Sequence, residues 1–210
     1  MSDVPRGERL DEGLRALVRL SATLALGPDT DLGPALDDVV GHSDPVEVEE
    51  ALLQSYLFLG YPTALTGIGA WRGRTGRPAP ADGEEDPSSW QARGERVCRE
   101  VYGAAYDGLR ENIFALRPEM YRWMVWEGYG KVLGRSGLAL WRRECCIVAM
   151  LAVLGAGPQL RSHLRGALRT GAGVDLVASV LDEVLPLVPD GRRGTVERTW
   201  ERVLARWEDE

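Results

Sequence analysis

Cysteine, histidine and lysine are all scarce in this chain, and each scarcity closes off a class of chemistry. Three cysteines in 210 residues, Cys98 and the adjacent pair Cys145 and Cys146, make neither a CxxC motif nor a four-thiolate zinc site. Two histidines, His42 and His163, are too few to complete one, so no metal and no cofactor is expected. A chain of 210 residues buries a substantial core without disulfides, which excludes a stapled miniprotein. Lys131 is the single lysine among 25 basic residues, leaving 24 arginines, and so general a skew gives no one arginine weight by its type alone. Basic residues are outnumbered by 32 acidic ones, for a net charge of −7 and a pI near 5.0. With no basic field to hold a phosphate backbone, nucleic acid is not an expected partner.

Long apolar runs are missing as well. The longest nearly apolar stretch, residues 145–157, has thirteen residues, too few to cross about 30 Å of hydrocarbon as a helix. Residues 1–9 are polar and mixed in charge, with no apolar export segment, so the expectation is a cytoplasmic protein with no membrane partner. No convincing period-2 strand appears either. The pattern is helical nearly throughout, and the predicted fold is all-α.

Leu10, Leu14, Leu17, Val18, Leu20, Ala22 and Leu24 follow the 3.6-residue period until Gly27-Pro28 stops them. Ser43-Asp44-Pro45 supplies a cap and a first-turn proline for a helix running to about Leu59. Gly60 is placed to cap it in the left-handed conformation, and Pro62 restarts a helix through Trp71. Residues 73–94, rich in glycine, proline and acid and including Glu84 and Glu85, read as a linker between units at 1–72 and 95–210. Beyond it the predicted helices span residues 94–106, 118–133, 141–154, 159–169, 176–188 and 195–207, with Tyr121, Met124, Val125 and Tyr129 as a buried stripe of the second. Residues 15–27 line up with 143–155 at an offset of 128, which suggests a diverged tandem duplication.

His163 shares a helical face with Leu160, Leu164 and Ala167, so its imidazole points inward; a hydrogen-bonded core histidine and a catalytic one both fit. Glu144 shares its face with Leu140, Ile147 and Leu151 in an otherwise apolar helix, where an unpartnered carboxylate is costly. The two helices should pack as an antiparallel hairpin, with the residues offset by roughly 7–8 Å along it at about 1.5 Å per residue. Contact therefore needs side-chain reach, helix crossing or a bridging water, and a salt bridge from Glu144 to Arg142, Arg143 or Arg165 is the alternative. Arg165 is placed either to snorkel or to bind an anion. Cys145 and Cys146 point about 100° apart on one helix, which suits packing and not a disulfide.

The run Arg143-Glu144, an apolar helix, then Gly155-Ala156-Gly157-Pro158-Gln159-Leu160-Arg161-Ser162-His163-Leu164-Arg165-Gly166-Ala167-Leu168 and Gly171 resembles the carboxymuconolactone decarboxylase family. Its superfamily also holds the alkylhydroperoxidase D-type peroxidases. Residues 127–138 are similar to the family's upstream segment, and Gly60-Tyr61-Pro62 to its Gly-aromatic-Pro stretch. The resemblance implies an alkylhydroperoxidase D-like helical fold of two related units and a small carboxylated lactone or related organic acid as substrate. His163 would donate the proton and Glu144 orient it. Arg165 or Arg143 would hold a substrate carboxylate, and Tyr61 and Pro62, or Trp126 or Trp141, would wall the site. The chain departs from the peroxidase branch at Ala156 and Gln159, where the branch has its CxxC cysteines, and from a complete first unit at Ala16, where Glu144 has its counterpart. Thiol peroxidase activity and a noncatalytic oligomeric role are the alternatives.

The resemblance also implies a homo-oligomer, a trimer or a dimer. Light scattering at micromolar concentration is expected to give a multiple of 23.1 kDa, and a mass of 23.1 kDa itself would contradict it.

Overall fold

Helix α1 (Glu12–Ala25) starts where the Asp11 carboxylate accepts the Leu14 amide at 2.6 Å, and it buries Leu14, Leu17, Val18, Leu20 and Leu24. The computed structural model describes residues 10–81 and 86–207, and the regular elements in them are all helical. Residues 1–9, read as lacking an export segment, and Glu84 and Glu85 of the expected linker lie outside the described residues. The protein is all-α. No helix among the described residues is long and apolar enough to cross a membrane.

After α2 (Gly33–His42), Asp44 caps the Val46 amide at 2.7 Å and Pro45 opens α3 (Pro45–Gln54). That helix stops short of Leu59: the Ser55 hydroxyl turns back to the Leu52 carbonyl and the chain restarts as α4 (Tyr56–Thr75). Gly60 kinks α4 with φ 80° and ψ 165°, an extended glycine-only conformation in place of the expected left-handed cap, and Pro62 begins the straight part. The irregular stretch is shorter than 73–94 because α4 continues to a left-handed Gly76 and α5 (Ser88–Tyr102) starts early, where Asp86 accepts the Ser88 amide at 2.9 Å. Next come α6 (Tyr106–Leu116), which falls between the predicted helices, and α7 (Pro118–Trp123).

The single helix expected over 118–133 divides after α7 into a π-helical run, Met124–Leu133. Helix α5 crosses this run backbone against backbone. A Cβ on Gly94 would fall 2.0 Å from the Val125 carbonyl oxygen, and one on Gly130 would fall 2.2 Å from that of Trp90. Arg93 Nε donates to the Gly130 carbonyl at 2.5 Å, drawing it toward a side chain, and such a carbonyl and a widened turn go together.

Helices α8 (Leu140–Leu154), α9 (Gly157–Thr170), α10 (Val174–Val184) and α11 (Asp190–Trp207) complete the chain. Every residue of α8 from Arg143 to Val153 is buried, as suits a helix packed against both α1 and α9. Only two residues join α8 to α9, so the packed pair runs antiparallel. Moved by 128 residues, α1 falls on 140–153 and α3 on 173–182, against Leu140–Leu154 and Val174–Val184. The two halves share core: Leu138 and Cys146 pack with Leu17, Leu20, Leu52 and Trp71 of the first.

A buried ion pair ties the halves together. Arg143 donates to Glu50 Oε2 at 2.8 Å, to the Leu138 carbonyl at 3.1 Å and to Gln54 Oε1 at 3.4 Å, while Arg135 holds the same Glu50 at 3.1 Å. Burial pulls the Arg143 guanidinium below its ordinary value, and the Glu50 contact opposes that pull. Glu50→Ala leaves this cation uncompensated and is expected to cost about 3–5 kcal/mol in urea denaturation. A variant as stable as the parent would show that the network does not hold the halves together.

Candidate active site

Glu144 sits on α8 with no exposed surface, facing α9. The helices come together at Gly166, where a Cβ would lie 2.7 Å from Glu144 Oε2 and 2.8 Å from Val101 Cγ1. Only glycine allows that approach. His163 lies one turn before Gly166 on the same face of α9, and its Nδ1 reaches Glu144 Oε2 at 2.8 Å. The lengthwise offset is thus met by direct side-chain contact, and among the described residues Arg142 and Arg143 pair with other carboxylates.

A carboxylate only accepts, so Nδ1 carries a proton and Nε2 is the ring nitrogen left for the cavity that His163 lines. Phe58 meets the imidazole edge-on at 5.5 Å and fixes its plane. Glu144 Oε1 is buried without a hydrogen-bond partner. An orphaned carboxylate oxygen costs stability, and keeping one beside a histidine favours a chemical role over a structural one.

The cavity has a volume of about 540 Å³, the range of drug-sized ligands. Leu57 and Phe58 of α4, Leu109 and Ile113 of α6, Met120 and Trp123 of α7, and Met124 and Leu133 of the π-helical run make it largely apolar. Its polar groups are His163, Glu127, Arg161, Ser162, Gln159 and the hydroxyls of Tyr102 and Tyr129. Tyr129 donates to the Tyr102 oxygen at 3.2 Å, which leaves the Tyr102 proton to donate in turn. Burial, with the Glu144 charge adding to it, pushes both phenols above their ordinary value and keeps them neutral donors. Glu127 accepts from the Tyr56 hydroxyl at 3.1 Å; burial first and this carboxylate second push that phenol upward.

The other residues singled out from the sequence lie elsewhere. Arg143 is a correction: it is fully buried, spends its donors on Glu50, Gln54 and backbone carbonyls, and has no face for a substrate. Arg165 does not line the cavity; Arg161, one turn earlier, does. Tyr61 is 60% exposed and stacks on Tyr56 at 4.9 Å over a separate groove lined also by Lys131 and Arg135. Trp126 packs on Trp90 at 5.2 Å and Trp141 under Arg142 at 5.4 Å, leaving the wall to Trp123 and Phe58. Tyr102, Glu127 and Arg161 were missed. Gly128-Tyr129-Gly130 carried a trace of the close crossing, whereas nothing local marks Tyr102, which α5 brings in at its last turn. Among the described residues no three His, Cys, Asp or Glu side chains gather as metal ligands would.

No family model matches the chain. It is similar to Peroxisomal protein 2 of Schizosaccharomyces pombe, 26% identical over 155 residues that span 70% of this chain and 71% of that protein.

All three thiols are buried and unpaired in disulfides. Burial pushes Cys98 up to about 12, with the Glu144 charge adding to it, and Cys146 to about 11, while Cys145 rises further. At pH 8 the folded protein is therefore expected to be silent toward a disulfide reagent such as dithionitrobenzoate, and to show three thiols once unfolded. Rapid labelling of the native state would contradict this.

Proposed function

We propose that this chain is a relative of the carboxymuconolactone decarboxylases, with a duplicated alkylhydroperoxidase D-like architecture, that removes CO₂ from an organic acid by the chemistry of His163 and Glu144. The carrying observation is the 2.8 Å contact between His163 Nδ1 and a carboxylate that has no other partner, at the wall of an apolar cavity. Helices that correspond at an offset of 128 residues support the duplication.

The reaction divides into two events. The bond from carbon to the carboxylate breaks, CO₂ leaves, and the electron pair passes into a neighbouring carbonyl as an enolate. The imidazolium form of His163, protonated at both nitrogens, gives its Nε2 proton to the new C–H bond and is left neutral with Nδ1 still on Glu144, and solvent returns a proton to Nε2. Glu144 supplies the counter-charge for the imidazolium through Nδ1 and fixes which nitrogen faces the substrate. The Tyr102 hydroxyl, oriented by the bond it accepts from Tyr129, is the donor available to the enolate oxygen. The apolar wall suits a step in which a localised charge spreads over a larger group.

A thiol peroxidase is the less favoured reading, because Ala156 and Gln159 occupy the places of the reactive pair and the cysteines present are held protonated.

Release of CO₂ from carboxylated lactones and β-keto acids tests the proposal. His163→Gln is expected to lower the rate by about 10²–10⁴-fold. Glu144→Gln keeps an acceptor for Nδ1 and is expected to reduce the rate while moving the thermal midpoint little. No CO₂ release from any such acid, or an unchanged rate in His163→Gln, would overturn the assignment and leave a noncatalytic role.

A further inference from the structure

We infer that the cavity beside His163 takes an amphipathic carboxylic acid, one whose apolar body is much larger than a simple lactone ring. The inference rests on the reading that this cavity is the working site, and it specifies the class of acid. Size and lining come first. About 540 Å³ is lined chiefly by aliphatic, thioether and aromatic side chains, more room and more apolar surface than a small polar acid can use.

The wall made by α6 and α7 points the same way. Tyr106 is its only buried side chain, yet Met120 and Trp123, 53% and 56% exposed, and the half-buried Leu109 and Ile113 turn apolar surface to the cavity. An apolar body lying along this wall covers surface that the protein itself leaves in water.

Charge sets the headgroup. Arg161 is the one arginine among the described residues that line the cavity, and it makes no ion pair among them. Glu127, the one acid on the lining, is engaged by Tyr56 and repels an anionic head, which directs that head to the α9 side, where Arg161 and His163 stand. The same Glu127 would attract an amine, so the arrangement can be tested against an amphiphile of the opposite charge.

Titration calorimetry with dodecanoate, butanoate, dodecanol and dodecylamine, each below its micellar concentration, decides the matter. Each methylene buried is worth a factor of about four, so dodecanoate is expected to bind at least about 100-fold tighter than butanoate. Dodecanoate should also bind more tightly than dodecanol or dodecylamine. Arg161→Gln is expected to remove the preference for dodecanoate over dodecanol. Ile113→Asp, at a position on α6 that the core does not need, should weaken every long-chain probe by at least about tenfold. Equal binding of butanoate and dodecanoate, a preference for the amine, or long-chain binding indifferent to Ile113→Asp would each overturn the inference.

The same titrations, set beside CO₂ release by the unsubstituted protein, separate the two proposals. Chain-length-dependent binding that persists without CO₂ release from any acid upholds the ligand class and removes the decarboxylase reading. CO₂ release from short acids with no dodecanoate binding does the reverse.

Discussion

Consecutive residues of one buried helix carry opposite charges and face opposite ways, and most of the molecule is arranged around that constraint. Arg143 and Glu144 are both without exposed surface in α8. Successive side chains on a helix diverge by about 100°, so the pair cannot neutralise itself and each member needs a partner on a different neighbour. Arg143 finds Glu50 on α3, which locks the first half of the chain to the second. Glu144 finds His163 on α9, which brings the imidazole to the cavity. The first contact is saturated with backbone and amide bonds, as befits a structural tie. The second leaves an oxygen unsatisfied, as befits a group kept for chemistry.

The packing that allows these contacts depends on missing Cβ atoms. Gly166 lets α9 close on Glu144, and Gly94 with Gly130 lets α5 lie against the π-helical run. The same crossing carries Tyr102 and Tyr129 toward Glu144, so the hydroxyl pair and the histidine converge from separate stretches of chain. A polar cluster is thereby assembled under an apolar cavity without any one helix supplying it.

The all-helical architecture was legible in the sequence because apolar residues recur at helical spacing in α1, α8, α9 and α10. His163 and Glu144 were legible for the same reason, as polar residues on apolar faces. Arg143 was misread because a charged neighbour of a candidate acid looks like a substrate anchor until Glu50, 93 residues away, is seen to hold it. The choice of Arg165 over Arg161 failed because the cavity opens over the first turns of α9 and not along its inward stripe. The π-helical run was invisible because its sequence fits an ordinary helix equally well; it lies against Trp90 and Arg93, a contact that no local pattern records. Helix α6 was passed over because, beyond Tyr106, it buries nothing to make a period.

That poverty of burial in α6 and α7 has a dynamic consequence. Regions with few buried apolar contacts open at a small free-energy cost while the core stays folded. The histidine and its carboxylate belong to deeply buried helices, whereas the wall facing them, with Tyr106 its one buried side chain, is held by less buried surface and costs less to open. Passage of a ligand in and out then need not disturb the hydrogen bond on which proton delivery depends. Evolution inherits the same separation: substitutions in the wall can reshape what enters without reaching the residues beneath.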